Sequence, residues 1–132
     1  MIAANELRKG NYILFNNTYA LVTQLLWDRL EFRTREDGKD KYEYTSYEEI
    51  TPVELTVDVL EKCDLTKHER FHYSNVFLSH KSNFTINQLR DNLEISFGVS
   101  SNPAIVAKGN LSLHQLQNLY FALLNEELII HL

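Results

Sequence analysis

Apolar side chains recur at spacings of three and four through residues 111–132: Leu113, Leu116, Leu119, Tyr120, Leu123 and Leu124. That period places them on one wide face and predicts an amphipathic helix. Ser112 stands just before the run with Gln115 three residues on, the pattern of a capping box. A helix of this kind needs a partner surface, and a sheet is the natural one. Upstream the period falls to two. Gly10-Asn11 marks a turn, residues 12–15 read as a strand, Asn16-Asn17 as a tight hairpin turn and residues 19–26 as the returning strand. Residues 25–32 alternate imperfectly, with Trp27, Leu30 and Phe32 set among Asp28, Arg29 and Glu31, which predicts a third strand carrying a bulge. The charged run 33–41 around Gly38 predicts an exposed turn, after which residues 42–47 resume as strand. Short antiparallel strands in succession predict a small, curled, barrel-like sheet.

Thr51-Pro52 breaks this pattern, because proline biases its predecessor away from the helical region. Two helix starts compete: Thr51 with Pro52 at the first position and Glu54 as box partner, or Thr56 with Asp58 in the first turn. Thr56 is preferred, since Val57, Leu60 and Cys63 then share one face of a two-turn helix. Residues 64–70 read as a polar linker. Residues 71–79 alternate through Phe71, Tyr73, Val76 and Phe77, residues 93–99 through Leu93, Ile95 and Phe97, and residues 105–107 make a short strand ended by Gly109. Residues 84–89 are ambiguous, and 128–132 form either a final turn or a short edge strand. The fold class expected is α+β: an N-terminal curled antiparallel sheet, a short middle helix, further hairpin strands and a C-terminal amphipathic helix packed on sheet. A length of 132 residues implies a single domain, 1–132, with a weak seam at 48–56.

Composition narrows the partners. Eighteen acidic against 13 basic residues give a formal net charge of -5, which argues weakly against free nucleic acid, whose binders carry a basic footprint. The single Cys63 excludes an intrachain disulfide framework and fits a reducing compartment. Polar residues stand where a signal peptide needs its apolar core, and no run reaches the ~20 apolar residues of a membrane span. The expected location is cytoplasmic, in the chain's own cell or an infected one, with no membrane partner.

Candidate chemistry is sparse. His68-Glu69-Arg70-Phe71-His72 spells H-E-x-x-H, which on a helix sets two imidazoles one turn apart for zinc, with Glu to polarise water. Here it sits at the start of a predicted strand with no third ligand at a familiar distance, and an extended chain would separate the histidines by roughly 13 Å. A zinc-dependent hydrolase is the least favoured reading. Glu36, Asp37, Asp40, Glu43, Glu48, Glu49 and Glu54 are interleaved with Arg33, Arg35, Lys39 and Lys41, as on a mixed solvated face rather than a phosphate mimic. Cys63 reads as a packed thiol, and Phe84, Phe97 and Phe121 as core. No nucleophile elbow, phosphate loop or dinucleotide fingerprint occurs. No catalytic residue, metal ligand or cofactor is therefore assigned. Trp27, flanked by charge, is either core or an interface anchor. With Arg29, Arg33, Arg35, Tyr42, Tyr44 and Tyr47 it forms the candidate partner-binding set, able to face a protein or to stack and clasp single-stranded nucleic acid.

Two segments carry a resemblance. Asn5-Glu6-Leu7-Arg8-Lys9-Gly10-Asn11-Tyr12 and His114-Gln115-Leu116-Gln117-Asn118-Leu119-Tyr120-Phe121-Ala122-Leu123, with a middle block Ile50-Thr51-Pro52-Val53-Glu54-Leu55-Thr56, resemble small proteins of phages and prophages in Bacteroides- and Flavobacterium-like bacteria. There an E-L-R-x-G-N opening leads into a strand and the closing block forms a helix. No active site carries over. The resemblance implies a setting in which small acidic phage proteins inhibit one host protein, host defence nucleases such as RNA-guided effectors among them. The leading expectation is thus a non-catalytic protein-binding module of that kind, with a small nucleic-acid-binding module as the alternative.

Overall fold

The computed structural model describes residues 2–70, 74–79, 84–88, 92–98 and 104–132, the side chains of 68–70, 74 and 75 excepted. The chain is α+β and divides into two compact units, Met1–Glu54 with Ser112–Asn125, and Leu55–Leu111 with Glu126–Leu132. The first change of unit, after Glu54, lies within residues 48–56.

The first unit begins with a 3-10 turn at Ala4–Glu6, where Glu6 reaches back to the Ala3 N–H. Strands β1 (Tyr12–Phe15), β2 (Thr18–Leu25), β3 (Leu30–Glu36) and β4 (Lys39–Thr45) then form an antiparallel meander. Asn16 and Asn17 both take positive φ, 48° and 59°, the backbone a two-residue hairpin demands. After a 3-10 turn at Tyr47–Glu49, the two-residue β5 (Ile50–Thr51) returns to β1, giving the order β4-β3-β2-β1-β5. A bulge between Val22 and Gln24 bends β2 against β3. The sheet curls enough for the Phe15 and Phe32 rings, two strands apart, to meet at 4.7 Å. Its ladder is not closed, since β4 and β5 remain edges. The concave face buries Ile13, Ala20, Val22, Leu30, Phe32 and Ile50 with Ile2 and Leu7.

Two sequence expectations for this sheet need correction. Residues 33–41 are not an exposed turn: β3 and β4 run through them, and only Asp37-Gly38 turns, with φ of 51° and 75°. Asp-Gly is a hairpin signal that the surrounding charge obscured. Residues 25–32 are not one strand either. β2 stops at Leu25 and β3 starts at Leu30, while Leu26 N–H bonds the Arg29 carbonyl at 2.8 Å and leaves Trp27 and Asp28 at the tip.

The closing helix α2 (Leu113–Leu124) belongs to this unit. Gln115 accepts the Ser112 N–H at 2.9 Å, as the box pattern predicts, and Asn125 ends the helix in the left-handed region. Its most buried side chains are Leu113, His114, Leu116, Gln117 and Tyr120, so the buried face is rotated from the leucine face read from spacing alone. The rotation has a polar cause. Gln117, 2% exposed, donates to the Gly10 carbonyl at 2.9 Å and accepts the Tyr12 N–H at 2.8 Å. Asn118 Oδ1 receives Asn11 Nδ2 and Arg8 Nε at 2.9 and 3.2 Å, and its amide donates to the Glu6 carbonyl at 2.8 Å. The Arg8 guanidinium also lies 4.3 Å over the Phe121 ring. Residues 6–12 and 117–121 therefore bind each other and hold α2 on β1.

In the second unit, α1 (Val57–Glu61) is capped by Thr56, whose hydroxyl accepts the Val59 N–H at 3.3 Å. The cap is the preferred one, but the helix is little more than one turn and buries Val59 and Leu60. Strands β6 (Thr66–Arg70), β7 (Ser74–Leu78), β8 (Phe84–Gln88), β9 (Leu93–Phe97) and β10 (Ala104–Gly109) follow in sequence order as one antiparallel sheet. Residues 66–70 are thus strand, not linker. They find their hydrogen bonds on β7, with Thr66 opposite Leu78 and Lys67 opposite Phe77. Phe77, Ile86 and Ile95 stand in one cross-strand row and are all fully buried. The tail resolves as a short edge element: Ile130 bridges Cys63, and Leu128 is buried. Among the described residues no helix is long and apolar enough to cross a membrane.

Candidate interaction face on the N-terminal sheet

Residues directly opposite in a sheet share a face, and their register assembles the candidate set. Tyr12 faces Leu21, Leu21 faces Arg33, and Arg33 faces Tyr42, a row across β1 to β4 on the convex side. On one flank Leu14 pairs with Tyr19, and Arg35 with Asp40; on the other Glu31 pairs with Tyr44. Leu30 and Phe32 point the other way, into the core. Arg33, Arg35, Tyr42 and Tyr44 thus share one surface. Trp27, at the β2–β3 tip, is 93% exposed, and Tyr42 and Tyr44 are 56% and 54% exposed. The tip places Trp27 in solvent rather than in the core. Its neighbour Arg29 stacks its guanidinium 5.2 Å over the Tyr44 ring.

Tyr47 departs from the set. It packs against the concave core, and its hydroxyl donates to the Leu26 carbonyl. Burial raises its pKa, with the Asp28 carboxylate adding to the rise, and its bond to Leu26 braces the tip. Sequence reading missed Tyr12, Tyr19, Leu21 and Asp40, because only the register shows that they join the same face.

Charge on this surface is mixed. By register the convex face holds Arg33 and Arg35 with Glu31 and Asp40, while Glu36, Lys39, Lys41 and Glu43 fall on the other face with Phe32 and Thr34. Asp40 lies 3.9 Å from Arg33 and 4.0 Å from Arg35. Glu31 accepts the Thr23 hydroxyl at 2.7 Å, and its hydrogen bond and charge raise the Tyr44 pKa, keeping that phenol protonated. A recess of about 310 Å³ beside the β3–β4 hairpin is lined by Phe15, Thr34, Arg35, Glu36, Lys41 and Glu43 among others. Lys41 sits 3.1 Å from Glu43, whose hydrogen bond and charge raise the amine's pKa; a protonated amine is no nucleophile.

Other titratable candidates separate. The H-E-x-x-H run lacks its helix: His68, Glu69 and Arg70 lie in β6, and His72 is outside the described residues. Cys63 is buried, its thiol pushed up to about 12 by desolvation, and its Sγ lies 3.5 Å from the Val59 carbonyl, as a packed thiol should.

His114 is buried in the first turn of α2, with Nδ1 2.9 Å from Ser112 Oγ and no partner for Nε2 among the described residues. Burial lowers its pKa, against a smaller upward pull from the Glu6 carboxylate. The unfolded chain then holds the proton more tightly than the folded one. The contribution of neutral His114 to stability is complete above the ordinary value of 6.5 and is lost as pH falls from there through its lowered folded value. Chemical denaturation across that range is expected to show a slope that His114→Gln reduces; equal slopes would place the protonation elsewhere. Set against family models, curated proteins and solved structures, the chain matches none.

Proposed function

We propose that this chain is a non-catalytic protein-binding module whose contact surface is the convex face of the N-terminal sheet. One observation carries the reading: Trp27, Tyr42 and Tyr44 are exposed together beside Arg29, Arg33 and Arg35. Tryptophan, tyrosine and arginine are the side chains that dominate binding energy at protein interfaces. Trp27 is 93% exposed, and exposed apolar surface that gathers into a patch marks an interaction site. The resemblance of residues 5–12 and 114–123 to phage and prophage proteins supports the setting: an inhibitor acting in the host cytoplasm, by occupancy, on a host defence nuclease such as an RNA-guided effector.

The test is affinity capture from the native host followed by mass spectrometry. Trp27→Ala and Arg33→Ala are expected to lose the captured protein, each costing about 2 kcal/mol of binding or more, while melting as the parent does. Capture unchanged in both variants would move the interface elsewhere. A second reading, single-stranded nucleic acid stacked on the same aromatics, is favoured by their position on an open sheet face beside arginines. Affinity for oligonucleotide falling steeply with added salt would select it.

A further inference from the structure

We infer that the convex face takes an acidic segment of its partner protein, with an Asp or Glu side chain seated between Arg33 and Arg35 and an apolar or aromatic neighbour on Tyr42. The inference rests on the reading of this face as a protein interface and adds the chemistry of what docks there. Arg33 is more enclosed than Arg35. It lies between Leu21 and Tyr42 in the cross-strand row, and its side chain is 37% exposed where that of Arg35 is 76%. Both guanidiniums are paired with Asp40 only at long range, 3.9 and 4.0 Å, too far for a bidentate hydrogen bond to it. The planar N–H fork of an arginine matches a carboxylate bidentately. Leu21, Tyr19 and Tyr42 supply an apolar surround that would exclude water from the pair.

The charge pattern selects a single carboxylate over a polyanion. A phosphate backbone tracking past Arg33 and Arg35 would meet the carboxylates of Glu31 and Asp40 on the same face. One isolated negative charge fits where a continuous line of them does not.

The test pans a displayed library of random peptides on the full chain and on three variants: Arg33→Glu/Arg35→Glu, Arg33→Gln/Arg35→Gln and Trp27→Ala/Tyr42→Ala, each first checked by thermal melting. On the parent, Asp or Glu next to an aromatic or aliphatic residue is expected to be enriched severalfold. The charge-reversed chain is expected to select Lys or Arg instead, and the glutamine variant to bind a parent-selected peptide roughly tenfold more weakly. Peptides that depend on Trp27 and Tyr42 but show no acidic preference would overturn this inference and leave the interface reading standing. Selection unaffected by any variant would overturn both. A single-stranded oligonucleotide that displaces the selected peptides at the same arginines would overturn both in favour of nucleic acid.

Discussion

Phe32→Ala is expected to destabilise the N-terminal unit by about 3–5 kcal/mol, the usual cost of deleting a buried aromatic ring. The side chain is fully buried, lies at the centre of the concave face, and meets Phe15 at 4.7 Å across the curl of the sheet. Its removal opens a cavity between β1 and β3 that backbone hydrogen bonding on both strands prevents from collapsing. Against a typical stability of ~5–15 kcal/mol, that loss is a large fraction. The measurement is the denaturant midpoint, with tyrosine and tryptophan fluorescence as the probe. A midpoint close to the parent's would mean that the core does not close over Phe32.

Gln117→Leu is expected to be nearly as harmful, although it replaces a polar helix residue by a better core former. Leucine fills the space and keeps helix propensity, so a view of α2 as a greasy helix predicts no loss or a gain. The hydrogen bonds predict the reverse. Gln117 is the acceptor for the Tyr12 N–H and the donor to the Gly10 carbonyl. Leucine orphans both part-buried groups beneath the helix, at ~1–3 kcal/mol for each, so a total of about 2–6 kcal/mol is expected. Equilibrium unfolding distinguishes the two views by the sign of the change. A stabilised Gln117→Leu would show that the helix is held by its leucines alone and that the contacts to residues 6–12 are incidental.

The contrast between these residues marks what could be read from the chain. Phe32 declares itself by its spacing to Leu30 within a run otherwise charged, and the structure buries it. Gln117 sits in the same heptad-like pattern as Gln115, yet Gln115 serves the local cap and is exposed while Gln117 is buried. Ser112 marks Gln115 locally, but nothing near Gln117 marks it for burial; that comes from the strand 105 residues away in sequence. The same applies to the candidate face. Trp27, Arg33, Arg35, Tyr42 and Tyr44 were legible as a cluster of interface-type residues. Tyr47 was legible only as one more tyrosine, and its half-buried position bonded to Leu26 follows from the chain crossing from β4 to β5.

Local signals in the sequence determined the elements whose causes are local: the Asn16-Asn17 turn, the Thr56 cap, the box at Ser112 with Gln115, and the strands whose apolar residues alternate. These depend on steric and hydrogen-bonding preferences that act within about four residues. Tertiary structure alone decided that residues 66–70 are a strand, that β5 returns beside β1, that Arg33 and Arg35 share Asp40, and that a glutamine and an asparagine hold the closing helix. Each of those outcomes satisfies a polar group or places a charge through partners brought together by folding. A backbone N–H, an amide or a guanidinium has many possible partners in a linear chain, and only the folded arrangement selects one.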